Sequence, residues 1–490
     1  MKLPITLLSV LFATTAFGSA KFPPPYDKNM DAGLPSMTQG DSDKLEAQAR
    51  ERSKRRVIAS VDIAGEDLLS KEYKAFRKTF LAIKSSSEID GLLKNLDAHY
   101  ATSPDDLKFA AVQLVPLLAF RSIVYRMVPL AEQAKVTQSM LLTMVKQMSS
   151  GMHVYLPTDQ WAAGFAYVTE PSDLAQTRFK SEADLQLALA SEVLPQLTNS
   201  AKRLRELNFS RASVVTDSQL MYGTASFSDN MNRYRQVGEA ERYGEIANIH
   251  LGISWISMFC AYNLDHMFEL SQDLGRLYGV DGFEFWKGVE GAPASRRAEI
   301  LSDPKYASFL TLSKYGTDWT QTSLKHLKQA VLYSNVVWME TKGRPASESS
   351  ALDPAFINPA GKQIDLTLPS VKAMIAGKAQ ITSAITGEKM DIDLPAFYNN
   401  PPQDLKALLP NHFDESPLLN SKSLKTADGS TQTVQYHNYL SGRATGWNVA
   451  AYQKFFPDVK SSADIARSAK ILSQTWGGGI SGITLAFIGL

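Results

Sequence analysis

Apolar side chains recur every three to four positions from about residue 44 to residue 342, the period of helices that bury one face. The stretch TDWTQTSLKHLKQAVLYSNVVWME, residues 317–340, puts Leu324, Leu327, Val331 and Trp338 on one stripe, with Thr317 as the expected N-cap. SPDDLKFAAVQL, residues 103–114, reads as a helix start. Ser103 is the expected N-cap and Pro104 the first helical residue, and Asp105 and Asp106 sit where the helix dipole favours negative charge. Met140, Met144 and Met148 stack at four-residue spacing as core filler. The helical units vary in length and no signature recurs at a fixed period, so a helical bundle and a diverged α-solenoid both fit.

The period changes after KGRPASESSALDPAFINPAGKQ, residues 342–363, a stretch rich in Pro and Ser that reads as a linker. AQITSAITGEKMDIDL, residues 379–394, predicts two short strands joined near Gly387. LKTADGSTQTVQYHNYL, residues 424–440, predicts a second pair joined at Asp428 and Gly429. Helices are expected near 445–455 and 461–475, the second capped by Ser461 or Ser462. The apolar, glycine-rich tail WGGGISGITLAFIGL, residues 476–490, suits a last strand, kept by its own sheet or donated to a partner's. At the other end, residues 21–43 are rich in Pro, Gly, Ser and Asp without an apolar period, the pattern of a flexible lead. The expected fold is therefore mainly α. A helical domain over 44–342 is followed by a linker over 343–362 and a smaller α+β domain over 363–490.

The first twenty residues add a compartment. MKLPITLLSVLFATTAFGSA has a Lys at position 2, an uncharged apolar stretch from Leu3 to Phe17, and small residues at Gly18 and Ala20, the form of a cleavable secretory leader. This predicts a periplasmic or secreted protein. With a single cysteine no disulfide can form within the chain, so stability must come from packing. The nearest approach to a membrane span, FAAVQLVPLLAF at residues 109–120, is short, contains Pro116 and is followed by Arg121 and Arg126, and it reads as a buried, kinked helix. No transmembrane span is expected in the mature chain. Lysine and arginine total 51 against 50 acidic residues, so no field of one sign steers the chain toward nucleic acid, and any charge-driven partner must meet a local patch. One such patch is RERSKRR, with Arg50, Arg52, Lys54, Arg55 and Arg56, a solvated helical face or a dock for an anionic envelope surface.

Candidate chemistry concentrates in IHLGISWISMFCAYNLDHMFEL, residues 249–270, which holds the only cysteine, two of seven histidines, a Trp and an Asp. Read as one helix, it is apolar nearly all round and belongs deep in a core, where Cys260 is inert. On such a helix His250 and His266 point about 160° apart and cannot share an ion. The carboxylates beside His266 read as a ladder or polar seam, and no metal site is expected. Linear signatures of serine hydrolases, phosphate loops and zinc proteases are missing. A site assembled from distant residues stays open, with Glu170, His153, His412 and His437 as candidates. Glu170 follows an aromatic and β-branched run of strand-like character, and His153 and His412 fall in expected loops, where functional residues concentrate. The leading expectation is an exported, non-catalytic envelope protein without a cofactor, which binds an envelope protein or wall polymer, or assists assembly, through a helical groove. An envelope hydrolase directed at glycans or esters is the alternative. A small-molecule binder with a cavity near Met140, Met144 and Trp255 is a third possibility.

Overall fold

The computed structural model describes residues 22–55, 66–136, 141–142, 145–146, 162–172, 178–207, 214–217, 234–277, 300–341, 368–383, 386–408, 412–413, 419–425, 431–437 and 444–476. The leader, Met140, Met144, Met148, the whole linker over 343–362 and the glycine-rich tail after Trp476 lie outside them.

Among the described residues the chain is mainly α. Helices α1 (Gln39–Arg55), α2 (Lys71–Ala82), α3 (Ser86–Ala98), α4 (Asp105–Leu114) and α5 (Ile123–Gln133) come first. Next are α6 (Ala162–Thr169), α7 (Glu182–Ala188) and α8 (Leu194–Glu206). Local chemistry sets several starts: Ser70 accepts from the Tyr73 amide at α2, and Ser85 and Glu88 form a reciprocal capping box at α3. At α4 the start lies one residue later than expected. Pro104 is itself the N-cap and Asp105 opens the helix, while Ser103 donates to the His99 carbonyl instead.

Residues 105–133 have the length and apolarity to cross a membrane, but the stretch is mostly buried in the protein. It is also broken, because Val115–Phe120 tighten into a 3-10 turn with Pro116 near its start. Ser122 then adopts a left-handed φ of 58° while donating its amide to the Tyr167 carbonyl of α6, so α5 starts in a new direction.

A short antiparallel pair, β1 (Val214–Asp217) with β2 (Tyr234–Val237), interrupts the region expected to be helical almost throughout. It leads into the central pair, α9 (Glu239–Ala261) and α11 (Gly316–Thr341), with α10 (Met267–Leu277) between them. From Gly252 to Ala261 every residue of α9 is buried. The predicted stripe of α11, Leu324, Leu327, Val331 and Trp338, is buried too. The helix starts at Gly316, so Thr317 lies inside it rather than capping it, and only glycine fits at 316, where a side chain would collide with the Ala261 carbonyl and with Leu312.

The expected single helix over 249–270 ends at Ala261. Gln186, reaching over from α7, donates its amide to the carbonyls of Phe259 and Tyr262, and Ser313 satisfies Cys260 and Ala261. The last carbonyls of the helix are thereby paired, and Asn263 exchanges backbone hydrogen bonds with Leu310 and Thr311 in extended conformation. The chain re-enters a helix only after His266, at a left-handed φ of 68°.

The two expected strand pairs are present as β3 (Lys378–Thr382) with β4 (Lys389–Asp393) and, after α12 (Leu394–Asn399), as β6 (Leu419–Lys425) with β7 (Thr431–His437). Gly387 supplies the left-handed turn of the first pair. A short pair of β5 (His412–Phe413) with β8 (Ala444–Thr445), then α13 (Val449–Tyr452) and α14 (Ser462–Trp476), complete the described part. Ser461 accepts from the Asp464 amide at the start of α14. The apolar core is one cluster from Tyr26 to Leu472. The C-terminal part sits on the helical part through backbone bonds from Leu312 to Gln403 and from Leu405 to Leu310, and through the Thr320 hydroxyl to the Tyr398 carbonyl at 2.7 Å.

Candidate functional site

Residues 22–38, expected as a flexible lead, form a strap laid across α9 and α11. Prolines without N–H groups cannot continue a helix or a central strand, but their carbonyls stay free to accept. The long helices use those carbonyls. Trp319 donates its indole N–H to the Pro24 carbonyl at 3.0 Å, and His250 Nε2 lies 2.9 Å from the Pro35 carbonyl. Gln329 accepts from the Met37 amide at 2.7 Å and donates to the Met37 carbonyl at 3.0 Å. Side chains add to this grip: Tyr26 turns edge-on to Trp319, and its hydroxyl donates to Asp31 at 2.7 Å. Asp31 pairs with Lys325 and lies 3.2 Å from His326 Nε2. The strap continues into α1, which starts at Gln39 and not near 44, and which packs on α11 through Ser42 and Glu46.

Two imidazoles lie at the centre of this arrangement. His250 Nδ1 and His326 Nδ1 are 2.8 Å apart, each ring is 1% exposed, and His250 stacks on Tyr333. A carbonyl only accepts, so His250 Nε2 carries the hydrogen that meets Pro35. A neutral His250 then presents a bare Nδ1, and the short contact is made by an Nδ1–H of His326. This tautomer follows from the hydrogen-bond network. Burial, together with the neighbouring His326, pushes His250 down to about 3. Burial also holds His326 below the ordinary imidazole value, opposed by Asp31. For Asp31 burial acts upward, but hydrogen bonds from His326, Lys325 and Tyr26 outweigh it and hold the carboxyl well below its usual range. The unit is a pair of imidazoles beside an ionised carboxylate, with His326 facing His250 through one ring nitrogen and Asp31 through the other, and it joins three segments far apart in sequence.

The other polar group near the core surrounds Glu182 at the first turn of α7. Its side chain is buried, and the backbone amides of Glu182 itself and of Met267 hydrogen-bond to its carboxyl. Burial, reinforced by the charges of Asp265 and Glu269, raises it well above the usual range and favours the neutral acid. His266 is 9% exposed, with Nδ1 3.9 Å from Glu269 and its ring edge-on to Tyr306, and burial pushes its pKa down. Farther along α10, Asp273 takes the Tyr306 hydroxyl at 2.6 Å and pairs with Lys305. This is the polar seam side of the sequence reading, closed by the turn at Pro304–Tyr306. Among the described residues no three His, Cys, Asp or Glu side chains converge as a metal ion would require.

The sequence-derived candidates are scattered. Cys260 is fully buried, its thiol pushed up by burial, with the Gln186 carbonyl 3.7 Å from sulfur. Glu170 follows a helix, α6, and not a strand, because burial of Ala163, Tyr167 and Val168 overrides the β-branched local preference. It is exposed and accepts from the Ser86 hydroxyl at 3.0 Å, which in turn accepts from Arg121. His412 lies in strand β5, paired with Thr445, and not in a loop. His437 ends β7 on a different two-stranded sheet. His153 and Arg56 lie outside the described residues, as do the side chains of Arg52, Lys54 and Arg55 on α1. Arg50 is exposed and paired one helical turn back with Glu46.

Sequence reasoning missed His326, Asp31 and Glu182. His326 carries a readable signal, since Trp319, Ser323, His326, Ala330 and Tyr333 form a second stripe at three- and four-residue spacing, all buried. Compared with protein-family models, with characterised proteins and with solved structures, the chain matches none.

Proposed function

We propose that this chain is an exported, non-catalytic protein of the cell envelope that binds a partner, an envelope protein or a wall polymer, through a groove of its helical part. In this reading the helical part is the binding body and the smaller α+β part a second unit seated upon it. The leader-like first twenty residues support export. The observation that carries the reading is where the reactive side chains are spent. Cys260, His250 and His326 are at most 1% exposed, and each is engaged with an interior carbonyl or ring. With a net charge of +1, recognition rests on shape and hydrogen bonds rather than on a long-range field. The test is cross-linking of the exported chain in intact envelopes at low and moderate salt. One reproducible partner or wall polymer is expected, and recovery of none at either salt refutes the reading.

A second reading, an envelope hydrolase, is favoured by one observation. Burial and the neighbouring charges of Asp265 and Glu269 favour the neutral form of Glu182, an environment that splits two acids into donor and base. It requires an opening that brings Glu182 to a substrate. Turnover of glycan or ester substrates that disappears in Glu182→Gln would establish it.

A further inference from the structure

The strap is held as a docked peptide is held. Along residues 22–38 the buried anchors are Pro23, Tyr26, Leu34, Pro35 and Met37, and the positions between them are exposed or half-buried. The helices grip its main chain more than its side chains, through Trp319 on Pro24, His250 on Pro35 and both ends of the Gln329 amide on Met37. The strap is extended at its two ends and turns through a 3-10 helix at Lys28–Asp31, and backbone reading of such proline-containing ends by aromatic and amide side chains is a general mode of peptide recognition. Selectivity comes from one charged contact, Asp31 against Lys325 and His326, placed five residues after the aromatic anchor Tyr26. None of these contacts uses the covalent link between strap and α1.

We infer that the seam between α9 and α11 is a peptide-binding groove, filled in cis by the strap. Its partner is a proline-containing polypeptide segment, extended at its ends, with an aromatic residue and a carboxylate about five residues beyond it across a 3-10 turn like that at Lys28–Asp31. The tether holds the strap at an effective concentration on the order of millimolar, so a partner must match the anchors and displace it. This deepens the reading of the protein as a binder and rests on that reading for the existence of a partner.

The test uses the full chain. Y26A/D31N removes two strap anchors and leaves the groove intact, and Asp31→Asn alone is a milder version. Hydrogen exchange at residues 22–38 is expected to rise while α9 and α11 stay protected. A labelled peptide of residues 22–38, which does not bind the unaltered chain, then binds the variant. Adding Trp319→Ala and Gln329→Ala weakens that binding at least tenfold.

A strap that stays protected, loss of protection in α9 and α11 together with the strap, or a released strap with no peptide binding would each overturn the inference. So would peptide binding indifferent to Trp319 and Gln329. A dimer of the unaltered chain that the peptide dissociates would make the occupant a second copy's strap and overturn the assignment to a partner. Peptide binding without any envelope partner removes the function and leaves the groove. A recovered partner without peptide binding does the reverse.

Discussion

At the scale of single residues, the buried polar groups set how the molecule responds to pH. His250 and His326 have folded-state values below the ordinary 6.5, so they contribute stability above that pH which is lost as pH falls toward their folded values. Asp31 acts in the same direction at lower pH, since its depressed carboxyl contributes stability above 3.8 that is lost on further acidification. Protection factors of residues 22–38, taken against the intrinsic exchange rate at each pH, should therefore fall as pH falls from about 6.5 to 4.5, before most carboxylates titrate. A strap whose protection is flat over that interval would contradict the histidine assignment.

Glu182 has the opposite sign. Its raised value means the folded state prefers the neutral acid, so its contribution is present below the ordinary 4.5 and is lost as pH rises through the folded value. Glu182→Gln should equal the parent at pH 5 and exceed it in urea midpoint at pH 9. Glu182→Leu, which also leaves the Glu182 and Met267 amides without the carboxyl, should gain less than Glu182→Gln at pH 9. If both variants lose stability at every pH, the hydrogen bonds from the Glu182 and Met267 amides outweigh the cost of burying the carboxyl.

At the scale of elements, the α9–α11 pair depends on close approach and on a cap that comes from elsewhere. Gly316→Ala would drive a methyl group into the Ala261 carbonyl and Leu312, costing about 1–3 kcal/mol. Gln186→Ala would leave the Phe259 and Tyr262 carbonyls unpaired in a dry interior, at about 1–3 kcal/mol. Both effects are measurable as shifts in urea midpoint, and a neutral Gln186→Ala would mean that the break after Ala261 is set by α9 itself.

The same elements show what a sequence can carry. The stripe of Leu324, Leu327, Val331 and Trp338 and the strand pairs around Gly387 and across 426–430 are legible because their signals are local periods and turn residues. The break at Tyr262 is not, because the donor that ends α9 stands 76 positions away in Gln186. The strap is illegible for the same reason. Its proline-rich composition reads as loose, while the side chains that hold it, His250 and Trp319, lie 215 and 295 positions downstream of their acceptors. His326 was half-legible, since its stripe can be counted but its partner Asp31 cannot.

At the scale of the whole molecule, α11 is the shared support. The strap and α1 lie on it from the N-terminal side, α9 packs along it, and α12 is tied to it by the Thr320 hydroxyl, which donates to the Tyr398 carbonyl at 2.7 Å. The backbone bonds from Leu312 to Gln403 and from Leu405 to Leu310 join the C-terminal part to the turn just before α11. With one apolar cluster from Tyr26 to Leu472, exposing the seat of the C-terminal part also exposes core that belongs to α11. The described parts should therefore unfold together, so that helix loss by circular dichroism and exchange at Tyr452 and Ile465, both buried in the C-terminal part, share one urea midpoint. Thr320→Val keeps the shape and removes the hydroxyl bond, leaving the Tyr398 carbonyl without it, which should lower that common midpoint by about 1–3 kcal/mol in stability. A variant in which only the C-terminal reporters move would divide the molecule into two units after all. The contacts across α11 would then be a docking surface and not a common core.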